Sequence, residues 1–226
     1  SLELFNRYAQ QIQLSMKNIT DVYMNTIDFH TEKADLYLYE LLNNDLECTI
    51  LKSPYSSDFE YENAKYRCHN TLSDQMEREE IISGYFLVAG GKHTDCILAL
   101  KSDLTDSESL QIYINNSRNC DNKWHLASIN GQNLLIRLAS EKNFYYGAIV
   151  NLDSVQAEMK HQGRYDSQTI FFSENTPNTD KEHILASSVS SRMDVVLSME
   201  VSQKECYRGL PYLNQIFIAV AFLFVI

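Results

Sequence analysis

The chain has 226 residues, 44% of them hydrophobic, enough for one large domain or two small ones around a core. Seven Gly and three Pro argue against a loop-rich scaffold or a disordered chain. Lys and Arg number 19 against 30 Asp and Glu, and this net charge of −11, with no basic stripe, argues against a nucleic-acid partner.

The opening "SLELFNRYAQ" lacks the charged and apolar regions of a signal peptide, so the expectation is a segment that follows an earlier membrane helix. Residues 1 to about 51 contain neither Gly nor Pro. Apolar residues recur there at spacings of three and four: Phe5, Tyr8, Ile12, Met16, Ile19, Tyr23 and Ile27, then Ala34, Leu38, Leu41 and Leu42. This spacing predicts one long helix, whole or broken near "DFHTEK". About 45 helical residues span roughly 65 Å, wider than a small domain, so the helix is a stalk or pairs with a second copy. The expected seam is Phe5, Ile12 and Ile19, unless the same stripe packs on the chain's own sheet. After the turn at Ser53-Pro54 comes a second, shorter helix, capped at Ser57 or Asp58.

From Ile81 the period changes from helical to alternating. "IISGYFLVAGG" and "KHTDCILALKS" predict a hairpin around Gly90-Gly91. "DLTDSESLQIYINNSRNC" is helical through Leu110, Tyr113 and Ile114. "WHLASIN", "QNLLIRLAS" and "FYYGAIVNL" then form an antiparallel meander, with turns at Asn130-Gly131 and Glu141-Lys142-Asn143. "DSVQAEMKHQ" is a helix capped by Asp153 or Ser154, and "SQTIFFSE", "EHILASSVS" and "MDVVLSMEV" are three further strands. The fold class is α+β: a long N-terminal helix, then antiparallel sheet with helices segregated from it.

The chain closes on "YLNQIFIAVAFLFVI". From Gly209 to Ile226 there are 18 uncharged residues, with the last 11 all apolar. Eleven helical residues cover about 17 Å of a roughly 30 Å hydrocarbon core. The preferred expectation is the start of a transmembrane helix; a buried C-terminal helix and a removable lipid-anchor signal are the alternatives.

Chemistry is sparse. A P-loop, GxGxxG, GxSxG and HExxH are absent from the sequence. The nearest thing to a ligand set, His93, Asp95 and Cys96 in the first hairpin, is split by strand alternation and reads as a solvated edge. Five scattered cysteines (Cys48, Cys68, Cys96, Cys120, Cys206) lack metal-site spacing. They fit one or two bridges in an oxidising compartment, or buried thiols. Neither an enzyme, nor a metal, nor a cofactor is expected.

"ISGYFLVAGGKHTDCILAL", a helix, and then "WHLASINGQNLLIRLASEKNFYYGAIVNLDSVQAEM" together resemble the Cache family of PAS-like extracytoplasmic sensor domains, most of all the double-Cache ectodomains of sensor histidine kinases. The resemblance implies a helical region at 1–79, a membrane-distal module at 80–152, a small membrane-proximal module at 153–203, and an exit helix with the start of a membrane segment at 204–226. It implies an extracellular, membrane-tethered signalling domain whose partner is a small polar molecule, and the first helix adds the expectation of a homodimer. In amino-acid-binding members an Arg stands two positions before a Trp that is followed by an aromatic. Here Asn122 and His125 occupy those places, while Asp153 matches the family's amine-binding acid.

The pocket of a PAS-like sheet then makes four residues the candidate ligand contacts. Trp124 offers a stacking surface, and Arg137 alternates away from Leu134, Ile136 and Leu138. Tyr145 and Asp153 flank the strand that leads into the next helix. The alternative functions are a ligand-free interaction or dimerisation ectodomain and a membrane-anchored enzyme.

Overall fold

The computed structural model describes residues 2–90, 95–104, 106–117, 121–142, 144–162, 168–178, 180 and 182–209. The apolar terminal run and the metal reading at His93 lie outside them. Among the described residues no helix is long and apolar enough to cross a membrane.

Three helices come first: α1 (Leu2–Asn44), α2 (Leu46–Lys52) and α3 (Asp58–Glu77). The long helix runs unbroken through "DFHTEK". Thr31 in that stretch is fully buried and returns its hydroxyl to the carbonyls of Ile27 and Asp28, so the helix absorbs the polar residue. The chain breaks at Asp45 instead, whose carboxylate accepts from Cys48 N and caps α2. Ser57 caps α3 in a full capping box with Glu60.

The strands follow as β1 (Ile82–Ala89), β2 (Cys96–Leu100), β3 (Trp124–Ile129), β4 (Gln132–Glu141) and β5 (Phe144–Asn151), with α4 (Ser107–Asn116) between β2 and β3. They form one antiparallel sheet in the order β2-β1-β5-β4-β3. The β3–β4 turn is made by Asn130 and Gly131, both at positive φ (47° and 81°), as its Asn-Gly sequence requires. Next come α5 (Leu152–Gln162), β6 (Thr169–Ser173), β7 (His183–Val189) and β8 (Val196–Ser202), then the short α6 (Gln203–Cys206) and a 3-10 turn (Tyr207–Gly209). The second sheet is antiparallel with order β6-β8-β7. "MDVV" was expected to open its last strand, but β8 starts at Val196, because Ser190 to Val195 is engaged elsewhere.

The chain divides into two compact units. One holds Asn25–Ala157 together with Ser190–Val195; the other holds the chain up to Met24, Glu158–Val189 and the chain from Val196 on. In the first, one face of the five-stranded sheet packs under α4 through Phe86, Ile136, Ile149, Leu110 and Ile114. The opposite face meets α1 and α3, with Tyr37 of α1 edge-on to Tyr85 of β1. Ser190 to Ser191 docks on α1, where the buried Asp28 carboxylate accepts from Ser191 N and from both serine hydroxyls. In the other unit the stripe on early α1 is buried at Ile12 and Met16, and Gln13 donates to the Leu185 carbonyl of β7.

Candidate functional site

Strand register decides which side chains share a face. Trp124 stands opposite Arg137, Arg137 opposite Ala148, Ala148 opposite Tyr85, and Tyr85 opposite Ala99, one row across all five strands. That row faces α1. Asp35 of α1 receives the Trp124 indole N–H at 3.2 Å and lies 2.9 Å from Arg137 Nε, an ion pair without hydrogen-bond alignment. Arg192 adds a second guanidinium 3.2 Å from Asp35 and also pairs with Glu32 at 3.0 Å. The Arg137 guanidinium lies 6.0 Å from the centre of the Tyr146 ring, which shares its face. Burial raises the Asp35 carboxyl above its ordinary range, against the opposing pull of Arg137, Trp124 and Arg192. The Tyr85 hydroxyl, on the same row, is buried with no hydrogen-bond partner among the described residues.

Tyr145 is on the other face. It pairs with Val88 and Ser140 in register and packs against the cluster under α4. There it lines a cavity of about 310 Å³ with Val88, Ala89, Gly90, Ile114, Asn115 and Ser117. A second, more open cleft of about 640 Å³ runs beside edge strand β2, between α3 and α4, and includes Lys65, His69, Cys96 and Gln111.

Asp153 is at neither place. Its two carboxylate oxygens accept from Asn133 N (3.0 Å) and Asn133 Nδ2 (2.9 Å), which pins the start of β4 to α5. The cap expected of it is made by Asn151, whose side-chain oxygen accepts from Asp153 N at 3.1 Å. Of the four sequence candidates, the structure therefore brings Trp124 and Arg137 together and sets Tyr145 and Asp153 apart.

Asp35 and Arg192 were not foreseen. One signal was readable for the first: Asp28 and Asp35 stand seven residues apart, two helical turns, beside the buried stripe Ile27, Ala34 and Leu38. A carboxylate repeated at that period beside buried apolar positions announces a buried polar partner.

The fold is similar to that of extracellular domains of histidine kinases. It overlays that of soHK1S-Z6, described as a histidine kinase, with a TM-score of 0.57 at 7% identity, over 91% of this chain and 99% of that one. The extracellular domain of rpHK1S-Z16 gives 0.53 at 13% identity, covering 88% and 98%. That of vpHK1S-Z8 gives 0.50 at 12% identity, covering 90% and 98%. No family model and no curated protein sequence matches the chain. At these identities the likeness defines the fold: this chain has the architecture of those extracellular domains.

Proposed function

We propose that this chain is the extracytoplasmic ligand-sensing domain of a bacterial membrane receptor, either a sensor histidine kinase or a membrane-bound transcription regulator. The observation that carries the reading is the partly open cavity of about 310 Å³ between the end of β1, Tyr145 of β5 and the C-terminal end of α4, in a fold shared with extracellular receptor domains. Its described lining combines Val88, Ala89 and Ile114 with Tyr145, Asn115 and Ser117. A small molecule with an apolar body and a few hydrogen-bonding atoms fits that mixture. In this reading Tyr145 touches the ligand. Trp124 and Arg137 brace the opposite face through Asp35, and Asp153 fixes the β3–β4 end of the sheet. The chain is no enzyme in this reading; its output is a displacement passed to a membrane segment.

A differential thermal screen of amino acids, amines, carboxylates and sugars tests it, with Tyr145→Ala as the control. A ligand that raises Tm in the parent and not in Tyr145→Ala supports this pocket. A ligand whose effect survives Tyr145→Ala and is lost in Arg137→Lys places the site on the face toward α1 and overturns the assignment. We further propose a parallel homodimer built on α1, whose outward face carries Leu14, Val22, Phe29 and Leu36.

A further inference from the structure

α2 has seven residues, too few to persist as a helix unless packing holds it. Its inward residues are Cys48 and Leu51, both buried, and it rests on α3. Two neighbouring ties set the register. Glu47 binds Arg67 at 2.9 Å, and one residue on, Cys48 Sγ lies 3.9 Å from Cys68 Sγ. The two sulfurs are shielded from solvent, as Cys48 is 0% and Cys68 1% exposed.

We propose that Cys48 and Cys68 form a disulfide that staples α2 to α3 when the chain folds in an oxidising compartment. The proposal rests on the extracytoplasmic reading given above. Bond formation needs the sulfurs to close by about 1.9 Å, from 3.9 Å to the roughly 2.05 Å of a disulfide. The oxidant is an organic disulfide such as oxidised glutathione. One cysteine thiolate attacks it and expels a thiolate, and the second cysteine then attacks the mixed disulfide and expels the other. The two cysteines lose two protons and two electrons, and the oxidant leaves as two thiols.

The environment also fixes when this happens. In the folded chain the hydrogen bond between Cys68 and Cys48, burial, and the nearby acids Asp45 and Glu47 all push the Cys68 thiol up, so the attacking thiolate is scarce. Exchange belongs to the stage before α2 docks, and the finished bond is sheltered from reductant. Asp45, Cys48 and Cys68 also lie close enough to form a geometric metal set, but the Asp45 carboxylate is already engaged at the cap of α2.

The test is oxidative refolding of the chain from urea with reduced and oxidised glutathione, alkylation in denaturant without reductant, and peptide mapping. Expected is one cross-linked species joining the Cys48 and Cys68 peptides, two hydrogens lighter than their sum. Reduction should lower Tm by roughly 5–10 °C, a shift absent from Cys48→Ala/Cys68→Ala. The same refolding should link the pair faster than oxidant added to the folded, reduced chain. Full alkylation of both cysteines after refolding overturns the proposal on its geometry, as does protection that a chelator abolishes, since a metal would then hold the thiols. Linkage after refolding but free thiols in protein isolated from its native membrane overturns it through the compartment instead.

Discussion

Asp35 accepts the indole N–H of Trp124 at 3.2 Å although 89 positions of chain separate them. That bond joins the first helix to the edge strand of the five-stranded sheet, and Arg137, opposite Trp124 in register, makes the same carboxylate the meeting point of three elements. The carboxylate gains hydrogen bonds and two cations but loses much of its hydration. Its raised proton affinity says that desolvation is the larger effect.

Two substitutions separate these contributions. Asp35→Asn keeps an acceptor for the indole and removes the desolvated charge, so its cost at neutral pH is within about 1 kcal/mol. Asp35→Ala strands both the indole and Arg137 and costs about 1–3 kcal/mol. The sign with pH follows from linkage. A carboxyl whose folded pKa lies above its unfolded value, about 3.9, binds its proton more tightly when folded, so its contribution to stability rises as pH falls through that window. The parent should therefore gain on Asp35→Asn between pH 7 and about pH 4. Urea unfolding at both values checks this, and a parent that loses ground on acidification would reverse the assignment.

Gly147 makes a sharper demand. A Cβ there would sit 1.9 Å from the Arg137 carbonyl oxygen and 2.3 Å from Phe86 Cζ, so β4 itself would have to move. At Gly84 the nearest obstacle is the end of the Leu100 side chain at 2.7 Å, which can rotate. Gly147→Ala should cost about 3 kcal/mol or give insoluble protein, and Gly84→Ala about 1 kcal/mol. Equal melting temperatures for the two variants would contradict the packing described.

The contrast between local and distant signals explains what could be read from the sequence. Alternation and turn chemistry marked the strands; Asn130-Gly131 specifies its own turn and Ser57 with Glu60 its own cap, because each acts within four residues. The partners of Asp28 lie 162 and 163 positions away in Ser190 and Ser191, and no local pattern encodes them. For the same reason "DFHTEK" left open whether the helix was whole or broken, and "MDVV" looked like the start of a strand. The four ligand candidates were chosen by parity along single strands. Parity correctly separated Arg137 from Ile136 and Leu138, but it could not say which face meets α1 and which meets α4.

The three-stranded sheet carries a pH-dependent tie at its edge. His183 Nδ1 lies 2.9 Å from Asp180 and 3.3 Å from Glu200, and the hydrogen bond to Asp180 raises the imidazole pKa. A histidine with a raised folded pKa contributes stability fully below its unfolded value, about 6.5, and loses it as pH rises through the folded value. His183→Gln should therefore lower Tm more at about pH 5.5 than at about pH 8.5. A larger loss on the alkaline side would show that the imidazole acts as a neutral group.

The last prediction concerns the dimer and replaces the seam expected from the sequence. Ile12, placed at the centre of that seam, is 5% exposed, because early α1 lies on its own unit beside β7. The large apolar residues left outward on α1 include Leu14, Val22, Phe29 and Leu36, between 59% and 63% exposed, with Tyr39 beside them at 67%. At about 100° per residue Val22, Phe29 and Leu36 lie within about 40° of one another and Leu14 about 80° round from Val22, so the four share one broad face of the helix. Four large apolar side chains on one face suit a second copy of the same helix, since a parallel two-fold pairing brings each against its counterpart. Val22→Asp with Phe29→Asp should leave helix content and Tm close to the parent and convert a dimer to a monomer. Ile12→Asp with Ile19→Asp should instead lower Tm sharply, because the first puts a charge in a core. Sedimentation equilibrium and circular dichroism on the two pairs decide the matter. A parent that stays monomeric at the highest concentration, or an outward pair that leaves the dimer mass unchanged, removes this stripe as the interface.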